Sequence, residues 1–271
     1  MVIRFNNEHY CEDYWSPGGY DCTLLAGHIA GLNSNSRILD IGCGSGCASI
    51  NLALEFGSQC FAIDSEEKYI QMANSNTARF GVREKINFLH LDLLNLQNSI
   101  EAGHLPETYD LVIAEGGIAS YVGLEEFFQL LMPLLKPESV FALSDVIFRE
   151  GISSGKFKLP FERPTGIREF YRTAGYAEAM RDRSTESQYE ETFPKIGLEK
   201  IFSFHLSRSH WQKFRTNLKA HALQKTGPCQ RDPAYIETMF HDEAFFNLEA
   251  QKYVAYFYLI GKNKIGSLIS S

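Results

Sequence analysis

A short strand followed by a glycine-rich turn, at residues 37–46, constrains this chain more than any other feature. The strand is apolar and carries one acid, Asp40, and the turn places Gly42, Gly44 and Gly46 at alternate positions. Glycines are needed where a strand turns sharply into a helix while its backbone touches a ligand, because a Cβ would fill that space. The pattern predicts a nucleotide-type cofactor site at the end of this strand.

Strands and helices alternate along the rest of the chain. Apolar runs predict strands at 60–64, 86–91, 109–114, 140–143, 197–207 and 253–261. Apolar residues spaced by three and four predict helices at 47–56, at 124–135 and in a segment that stops at Gly81. This alternation predicts a doubly wound α/β fold with a mostly parallel sheet, which binds ligands beyond the carboxyl ends of its strands.

Acids follow three further strands of the predicted sheet. Asp64 ends the second strand, 22 residues after Gly42, where a carboxylate can accept hydrogen bonds from two ribose hydroxyls. Ser65 comes next and is available to cap the following helix. Asp92 follows the third strand and Glu115 the fourth. Because the carboxyl ends of parallel strands share one edge, we expect these acids beside the glycine turn.

The run from Asp40 to Gly46 resembles motif I of the class I S-adenosylmethionine-dependent methyltransferases. A dinucleotide site needs the pattern G-x-G-x-x-G or G-x-G-x-x-A, and Cys47 stands at the last of these positions. The resemblance by motif covers about residues 34–145. It implies S-adenosylmethionine as the methyl donor and S-adenosylhomocysteine as the product.

Three later stretches are similar to the small-molecule branch of that family, which includes bacterial enzymes like those of ubiquinone biosynthesis. They are the loop Glu115-Gly116-Gly117-Ile118, Trp211 and the strand at 253–261. The resemblance implies a Rossmann-like, doubly wound sheet of seven strands, mostly parallel with an antiparallel last strand, and helices on both faces. The chain departs from the family at Pro137-Glu138-Ser139, where a Pro-Gly-Gly turn is usual.

The resemblance also assigns cofactor contacts. The glycine turn would lie against the methionine half of the cofactor, and Asp92 and Leu93 would hold the adenine. Glu115 would face the methyl group and either orient the acceptor or contact the cofactor's amino group. The predicted cofactor site of the sheet therefore comprises Asp40, Gly42, Cys43, Gly44, Gly46, Asp64, Ser65, Asp92, Leu93 and Glu115.

An aromatic segment precedes the first strand. Residues 1–33 are expected to form an N-terminal arm and a cap helix, at about 19–31, above the glycine turn. Trp15 offers an aromatic face to the sulfonium, an attraction of typically ~0.5–2 kcal/mol. The backbone N–H of Gly18, at the start of that helix, can bind the cofactor's carboxylate.

The remainder of the chain is expected to enclose the acceptor. Residues 34–271 would form the methyltransferase domain, with helical insertions at about 146–196 and 208–250 over the acceptor pocket. Methyl transfer is an in-line displacement on an already activated sulfonium, so the protein mainly aligns the reactants and removes water. The candidates for acceptor-side catalysis are Glu115, Tyr14 and His210.

Four other activities remain compatible with these residues. A nicotinamide-dependent oxidoreductase would use the same acids at the strand ends, and a non-catalytic binding module would keep the same cofactor turn. An arsenite methyltransferase would need thiols at the acceptor pocket, where only Cys229 is a candidate. A metal-assisted O-methyltransferase would use Glu115 and Asp145, but Val146 follows where a second oxygen ligand is needed, so no metal is predicted.

Composition limits the class of protein further. The 271 residues carry a net charge of −7, which does not favour nucleic-acid binding. No apolar run reaches membrane-spanning length and residues 1–10 lack a signal-peptide core, so a cytoplasmic protein is expected. The six cysteines form no C-x-x-C pair and predict neither a disulfide nor a zinc site, with Cys43 and Cys47 as small buried thiols. Neither the acceptor nor the oligomeric state is predicted.

Overall fold

The computed structural model describes residues 10–12, 14, 16, 18–151, 184–207, 209–210 and 254–264. Within these residues the α-helices are α1 (Gly19–Ile29), α2 (Cys47–Phe56), α3 (Glu67–Phe80), α4 (Leu96–Glu101), α5 (Ile118–Val122), α6 (Leu124–Leu131) and α7 (Glu186–Lys195). The strands are β1 (Arg37–Ile41), β2 (Gln59–Asp64), β3 (Ile86–His90), β4 (Tyr109–Glu115), β5 (Leu135–Phe148), β6 (Leu198–His205) and β7 (Val254–Asn263). Helices and strands alternate as far as β5, as predicted.

The described strands form a seven-stranded sheet in the order β3-β2-β1-β4-β5-β7-β6. The five strands from β3 to β5 pair in parallel, and β7 is antiparallel to both of its neighbours. The predicted doubly wound sheet with an antiparallel last strand is therefore confirmed, as is the position of that strand between β5 and β6. The strand order reverses between β1 and β4, so ligands are expected at the carboxyl ends of these two strands.

Two apolar cores cover the two faces of the sheet. Successive residues of β1 belong to different cores, Ile38 to one and Leu39 to the other. The first core packs against α1, α2 and α3, and the second against α4, α6 and α7. In the second core the ring of Phe128 meets those of Phe141 and Phe193 edge to face, at 5.5 and 5.3 Å between centroids. None of the described helices is long and apolar enough to cross a membrane.

Glycine and proline set several helix ends. Helix α3 ends where predicted, with Gly81 as its C-cap at φ +69°, a conformation that favours glycine. Helix α6 ends at Leu131, four residues earlier than predicted. Pro133 follows in a 3₁₀ turn at Met132–Leu134, and its ring and missing N–H do not allow an α-helix to continue.

Strand β5 is longer than the predicted residues 140–143. The expected turn at 137–139 lies within the strand. A register shift occurs at these residues, but β5 pairs with β4 both before and after it. Glu138 adopts φ +69°, and the register with β4 shifts between Tyr109 and Leu111. A shift of this kind bends a strand locally while the ladder continues on both sides.

The first predicted insertion begins later than expected, because β5 extends into it. Pairing with β7 continues to Phe148, so residues 146–148 are strand where a helical insertion was expected to begin. Later in the same insertion, α7 is helical. Residues 152–183 lie outside the described residues, as do residues 208 and 211–250 of the second predicted insertion, 208–250.

Candidate functional site

The glycine turn after β1 is fastened to β2 and packed against α5. Its three glycines have φ angles from +50° to +79°, which residues with side chains rarely adopt. The N–H groups of Gly42 and Cys43 both donate to the carbonyl of Ile63, at 2.9 and 3.0 Å. A Cβ on Gly42 would lie 2.5 Å from Cδ1 of Ile118. A side chain at Gly42 therefore requires the side chain of Ile118 to move.

Asp64 joins the glycine turn to the start of α3. Its Oδ2 accepts the N–H of Gly44 and its Oδ1 the N–H of Glu66, both at 2.9 Å. Burial raises the pKa of this carboxyl, and the two backbone donors oppose the rise. Because each carboxylate oxygen has a second lone pair, Asp64 can still accept hydrogen bonds from a ligand.

The residue after Asp64 does not have the expected capping role. The N-cap of α3 is Glu66, and Ser65 is exposed, with its carbonyl 2.9 Å from Nε2 of His90. Ser65, which was available to cap this helix, does not cap it. The carboxylate of Asp64 takes the Glu66 N–H instead, in the two-residue reach typical of an aspartate turn.

The end of β3 places an exposed carboxylate beside a buried apolar side chain. Asp92 caps a 3₁₀ turn at Leu93–Asn95, with its Oδ1 accepting the N–H of Leu94 at 2.9 Å. The side chain of Leu93 is buried. These are the two residues that the motif resemblance assigns to the adenine.

Asp40 lies beneath the glycine turn. It is 2% exposed, and its Oδ2 accepts the hydroxyl of Ser49 on α2 at 2.7 Å. Burial raises the pKa of Asp40 to about 7, the hydrogen bonds from Ser49 oppose the rise, and the charge of Asp64 adds to it. In the described structure the carboxylate of Asp40 therefore connects the end of β1 to the first turn of α2.

Among the described residues, the hydrogen-bond donors to Glu115, at the end of β4, are all hydroxyl groups. Its Oε1 accepts from the hydroxyls of Tyr258 (2.8 Å) and Thr23 (3.0 Å), and its Oε2 from those of Ser16 (3.2 Å) and Thr23 (3.0 Å). These donors come from β7, α1 and the N-terminal arm. Burial raises the pKa of Glu115 to about 7, the charge of Asp40 adds to the rise, and the three hydroxyls oppose it.

The three acids form one electrostatic unit. The charge of Asp64 raises the pKa of Asp40, and the charge of Asp40 raises that of Glu115. Among the described residues, no ion pair joins any of the three to a Lys, Arg or His. The described part of the site is therefore negative and desolvated, which favours a cationic ligand.

The N-terminal arm is clamped onto α2 by Asn51. The side-chain oxygen of Asn51 accepts the N–H of Cys11 at 2.8 Å, and its Nδ2 donates to the Cys11 carbonyl (2.8 Å) and to the Tyr14 hydroxyl (3.1 Å). The Tyr10 hydroxyl donates to Glu55 further along α2, at 2.7 Å. This attachment brings the arm across the site.

A disulfide between Cys11 and Cys47 ties the same arm to the first residue of α2, with 5.3 Å between the Cα atoms. The prediction that Cys47 is a free thiol was therefore wrong. The two residues are 36 positions apart and belong to no spacing motif, so only the folded arm reveals the pair. Cys43 is a free, buried thiol, as predicted, and burial raises its pKa.

Three predicted residues of the arm and cap have different outcomes. Tyr14 is buried, and its pKa is raised well above the usual value by burial and by the charge of Glu115, so it acts as a neutral phenol rather than a base. Gly18 is the N-cap of α1, where a Cβ would lie 3.0 Å from that of Cys22. Trp15 lies outside the described residues.

His210 and Asp145 are not brought to Glu115 by any described hydrogen bond. His210 follows β6, two strands away from β5, and its Nδ1 is 2.8 Å from the hydroxyl of Ser207. Asp145 is fully buried on β5, where its Oδ2 accepts the hydroxyl of Tyr189 at 2.8 Å. Among the described residues, no group of three His, Cys, Asp or Glu side chains is arranged to hold a metal ion.

Sequence reasoning missed Thr23, Asn51 and Tyr258. Each has apolar neighbours on both sides in the sequence and sends a polar group to a residue far away in the chain. The available signal was a polar residue between apolar ones, such as Asn51 between Ile50 and Leu52. Because a buried polar group needs a partner, such a residue marks a tertiary hydrogen bond without naming its partner.

Comparison with known proteins identifies the family. A family model described as a methyltransferase domain matches residues 32–188. A solved methyltransferase from Thiobacillus denitrificans, in complex with S-adenosylhomocysteine, has a TM-score of 0.62 and 17% identity, covering 93% of this chain and 94% of that one. Sterol 24-C-methyltransferase from Candida albicans is 20% identical over 185 residues, 66% of this chain and 48% of the relative. Phosphoethanolamine N-methyltransferase from Plasmodium falciparum is 30% identical over 138 residues, 49% of this chain and 48% of the relative.

Because the family model spans more than half of the sequence, this chain belongs to the class I S-adenosylmethionine-dependent methyltransferases. The family predicted from motif I is therefore confirmed. The match spans about half the length of the curated relatives.

Proposed function

We propose that this protein transfers a methyl group from S-adenosylmethionine to a small-molecule acceptor. The observation that carries the proposal is the group of Asp40, Asp64 and Glu115 around the glycine turn. These acids are desolvated and form no ion pair among the described residues, and the charge of Lys68 only opposes the rise in the pKa of Asp64. Such carboxylates stabilise a bound cation. The cofactor's sulfonium is permanently positive and the product has lost that charge, so these acids favour binding of the donor over the product.

The described residues fit the parts of this cofactor. Asp64 keeps lone pairs free for two ribose hydroxyls, and Asp92 and Leu93 offer the adenine an exposed acceptor beside an apolar side chain. The turn presents glycine backbone, without side chains, to the methionine half. We assign cofactor contacts to Asp40, Gly42, Cys43, Gly44, Gly46, Asp64, Ser65, Asp92, Leu93, Gly18 and, outside the described residues, Trp15. We place Glu115 beside the methyl group that is transferred.

The chain's own contribution to the reaction is alignment and exclusion of water. The sulfonium supplies a methyl group already activated for in-line displacement. The arm, clamped by Asn51, and α1 lie over the end of β4, with Ser16 and Thr23 donating to Glu115. Enclosing the reacting groups in this way orders them and raises the strength of every charge interaction between them.

Two observations favour a small acceptor over a nucleic acid. The net charge of −7 and the acidic site do not suit a phosphate backbone. Two relatives are named for small acceptors, a sterol and phosphoethanolamine.

Methyl-labelled S-adenosylmethionine tests the proposal. The purified protein is incubated with labelled donor and a panel of metabolite fractions, and mass spectrometry follows S-adenosylhomocysteine and the labelled product. We expect a labelled small molecule, lost in Asp64→Asn and retained in Glu84→Gln, an exposed acid before β3. Thermal stabilisation by NADH and not by S-adenosylhomocysteine would support an oxidoreductase instead. Tight binding of S-adenosylhomocysteine without turnover of any fraction would support a non-catalytic binding module.

A further inference from the structure

The hydrogen bonds around Glu115 can serve both of its protonation states. Thr23 Oγ1, which donates to Glu115, is also 3.2 Å from the carbonyl of Gly19. The Tyr258 hydroxyl is likewise 3.0 Å from the carbonyl of Cys22. A hydroxyl has one proton to donate, so each can turn from the carboxylate to its backbone carbonyl. When Glu115 gains a proton, either of these hydroxyls can accept it and still donate to its backbone carbonyl.

The other two acids of the site are held differently. Asp64 is held by two backbone N–H groups, which cannot rotate and which stabilise the ionised form more than the protonated form. Asp40 accepts the hydroxyl of Ser49 but is only 2% exposed, whereas Glu115 is partly exposed at the end of β4. Glu115 is therefore the carboxylate of the three that can exchange a proton with a ligand.

The described groups that face Glu115 are neutral or negative on every side. They are Tyr14 from the arm, Cys22 from α1, Asp40 from β1 and Tyr258 from β7. Burial and the charge of Glu115 raise the pKa of Tyr14, Cys22 and Tyr258, so these groups stay protonated near neutral pH. A ligand that approaches Glu115 is stabilised there if it is cationic and destabilised if it is anionic.

We propose that Glu115 is the general base of this methyltransferase and that the acceptor is an amine that arrives as an ammonium ion. The proposal rests on the proposed function. An N–H bond of the ammonium breaks and an O–H bond forms on Glu115, leaving a neutral amine whose lone pair is free. That nitrogen then bonds to the methyl carbon as the carbon–sulfur bond breaks, and the bonding pair stays on sulfur. The products are a methylated ammonium, neutral S-adenosylhomocysteine and a protonated Glu115, which releases its proton to solvent.

The energetics of proton transfer favour an amine over an alcohol. The pKa values of ammonium groups are about 8–10, and burial raises the pKa of Glu115 to about 7, so the transfer is only slightly uphill. Water, as a guide to alkyl hydroxyls, has a pKa of about 15.7, far beyond this carboxylate. Charge attraction further distinguishes an ammonium from a phenolate or a carboxylate acceptor.

Matched pairs of probes test the proposal on the full chain. Phenethylamine and phenethyl alcohol, and ethanolamine and ethylene glycol, differ in the amine, and phenol and acetate serve as anionic or acidic probes. Turnover is followed by release of S-adenosylhomocysteine, and binding to the S-adenosylhomocysteine complex by thermal shift. We expect amines to be bound or methylated and their oxygen counterparts to be neither.

Variants of Glu115 and Tyr258 separate a base from a structural or cofactor-binding role. We expect Glu115→Gln to lower kcat about 100-fold or more, to change the Kd for S-adenosylhomocysteine less than about threefold, and to remove the ascending limb of kcat/KM near pH 7. Tyr258→Phe removes a hydroxyl that lowers the pKa of Glu115, so the limb should move to higher pH. Glu84→Gln is the matched control and should behave as wild type.

Three other outcomes would each contradict one part of the proposal. Binding or turnover of alcohols or phenol in place of amines, or of no probe at all, overturns the amine assignment. Loss of cofactor affinity in Glu115→Gln that equals its loss of turnover assigns Glu115 to the cofactor's amino group and overturns its role as base. Failure of the wild type to bind S-adenosylmethionine or S-adenosylhomocysteine contradicts the proposed function itself.

Discussion

At the scale of single residues, the donors around each acid decide what that acid can do. Asp64 receives two fixed backbone N–H groups, while Glu115 receives three rotatable hydroxyls. The two acids occupy equivalent positions, each at the carboxyl end of a parallel strand. Fixed donors keep a carboxylate ionised and oriented for ribose hydroxyls, whereas rotatable donors allow a proton to come and go.

Gly42 offers a direct test of how tightly the turn is built. Gly42→Ala places a Cβ 2.5 Å from Ile118, on a backbone with φ +71°. We expect this variant to lose about 1–3 kcal/mol of unfolding free energy beyond the cost of the backbone strain, and to bind S-adenosylhomocysteine at least tenfold more weakly. Urea unfolding and calorimetry measure the two quantities.

Gly103→Ala is the matched control. Gly103 has a similar φ of +75°, but a Cβ there would meet nothing within 4 Å. Both variants therefore carry the backbone strain, and only Gly42→Ala carries the clash. Equal losses in the two variants would show that the contact with Ile118 has no energetic role.

At the scale of elements, the N-terminal arm is attached to α2 and covers the site. Asn51 and the Cys11–Cys47 disulfide both fix the arm to α2, and the same arm delivers Tyr14 and Ser16 to the surroundings of Glu115. The attachment of residues 10–12, 14 and 16 to α2 therefore contributes to the geometry at the end of β4.

Reduction of the disulfide should weaken the attachment of the N-terminal arm to α2. Cross-links of this kind typically contribute about 2–4 kcal/mol by restricting the unfolded chain, so a dithiol reductant should lower the unfolding free energy of the wild type by about that amount. Cys11→Ser should have the reduced stability already and should not respond to the reductant. A wild type whose unfolding is the same with and without the dithiol would contradict a stabilising role for this bond.

Sequence reasoning succeeded where the determinants are local. Gly81 predicted the end of α3, and the apolar runs predicted β1, β2 and β4 to within a residue or two, because caps and periodicity act over a few positions. The length of β5 was not predictable in this way. Proline and glutamate at 137–138 indicate a turn, but β5 continues through them because it pairs with β4 on both sides, at Leu135 and from Val140 onward.

The same distinction holds for the site. The acids at the strand ends could be predicted because each follows an apolar strand directly. The donors that set the properties of Glu115 come from three separate elements, so no spacing in the sequence relates them. Folding brings Tyr258 to Glu115 from 143 residues away.

At the scale of the whole molecule, buried acids link stability to pH. The pKa values of Asp40 and Glu115 are raised to about 7 in the folded protein, from about 4 in an unfolded chain. Folding therefore favours their protonated forms. Their contribution to stability is complete below about pH 4 and is lost as the pH rises through 7.

We expect the Tm of the ligand-free protein to fall by several degrees between about pH 5 and pH 8. S-adenosylmethionine should raise the Tm more at pH 8 than at pH 6, because its sulfonium interacts best with ionised acids. Asp40→Asn should make the fall shallower. Differential scanning calorimetry across this range provides the measurement, and a Tm that is constant or rises with pH would be inconsistent with uncompensated acids in the site.

Isothermal titration with S-adenosylmethionine measures directly whether the purified protein binds this cofactor through Asp64, with Asp64→Asn and Glu84→Gln as the paired variants. We expect binding of one cofactor per chain, weakened at least tenfold in Asp64→Asn and unchanged in Glu84→Gln, with no heat from NADH. Binding of NADH in place of S-adenosylmethionine, or cofactor affinity that does not depend on Asp64, would contradict this expectation.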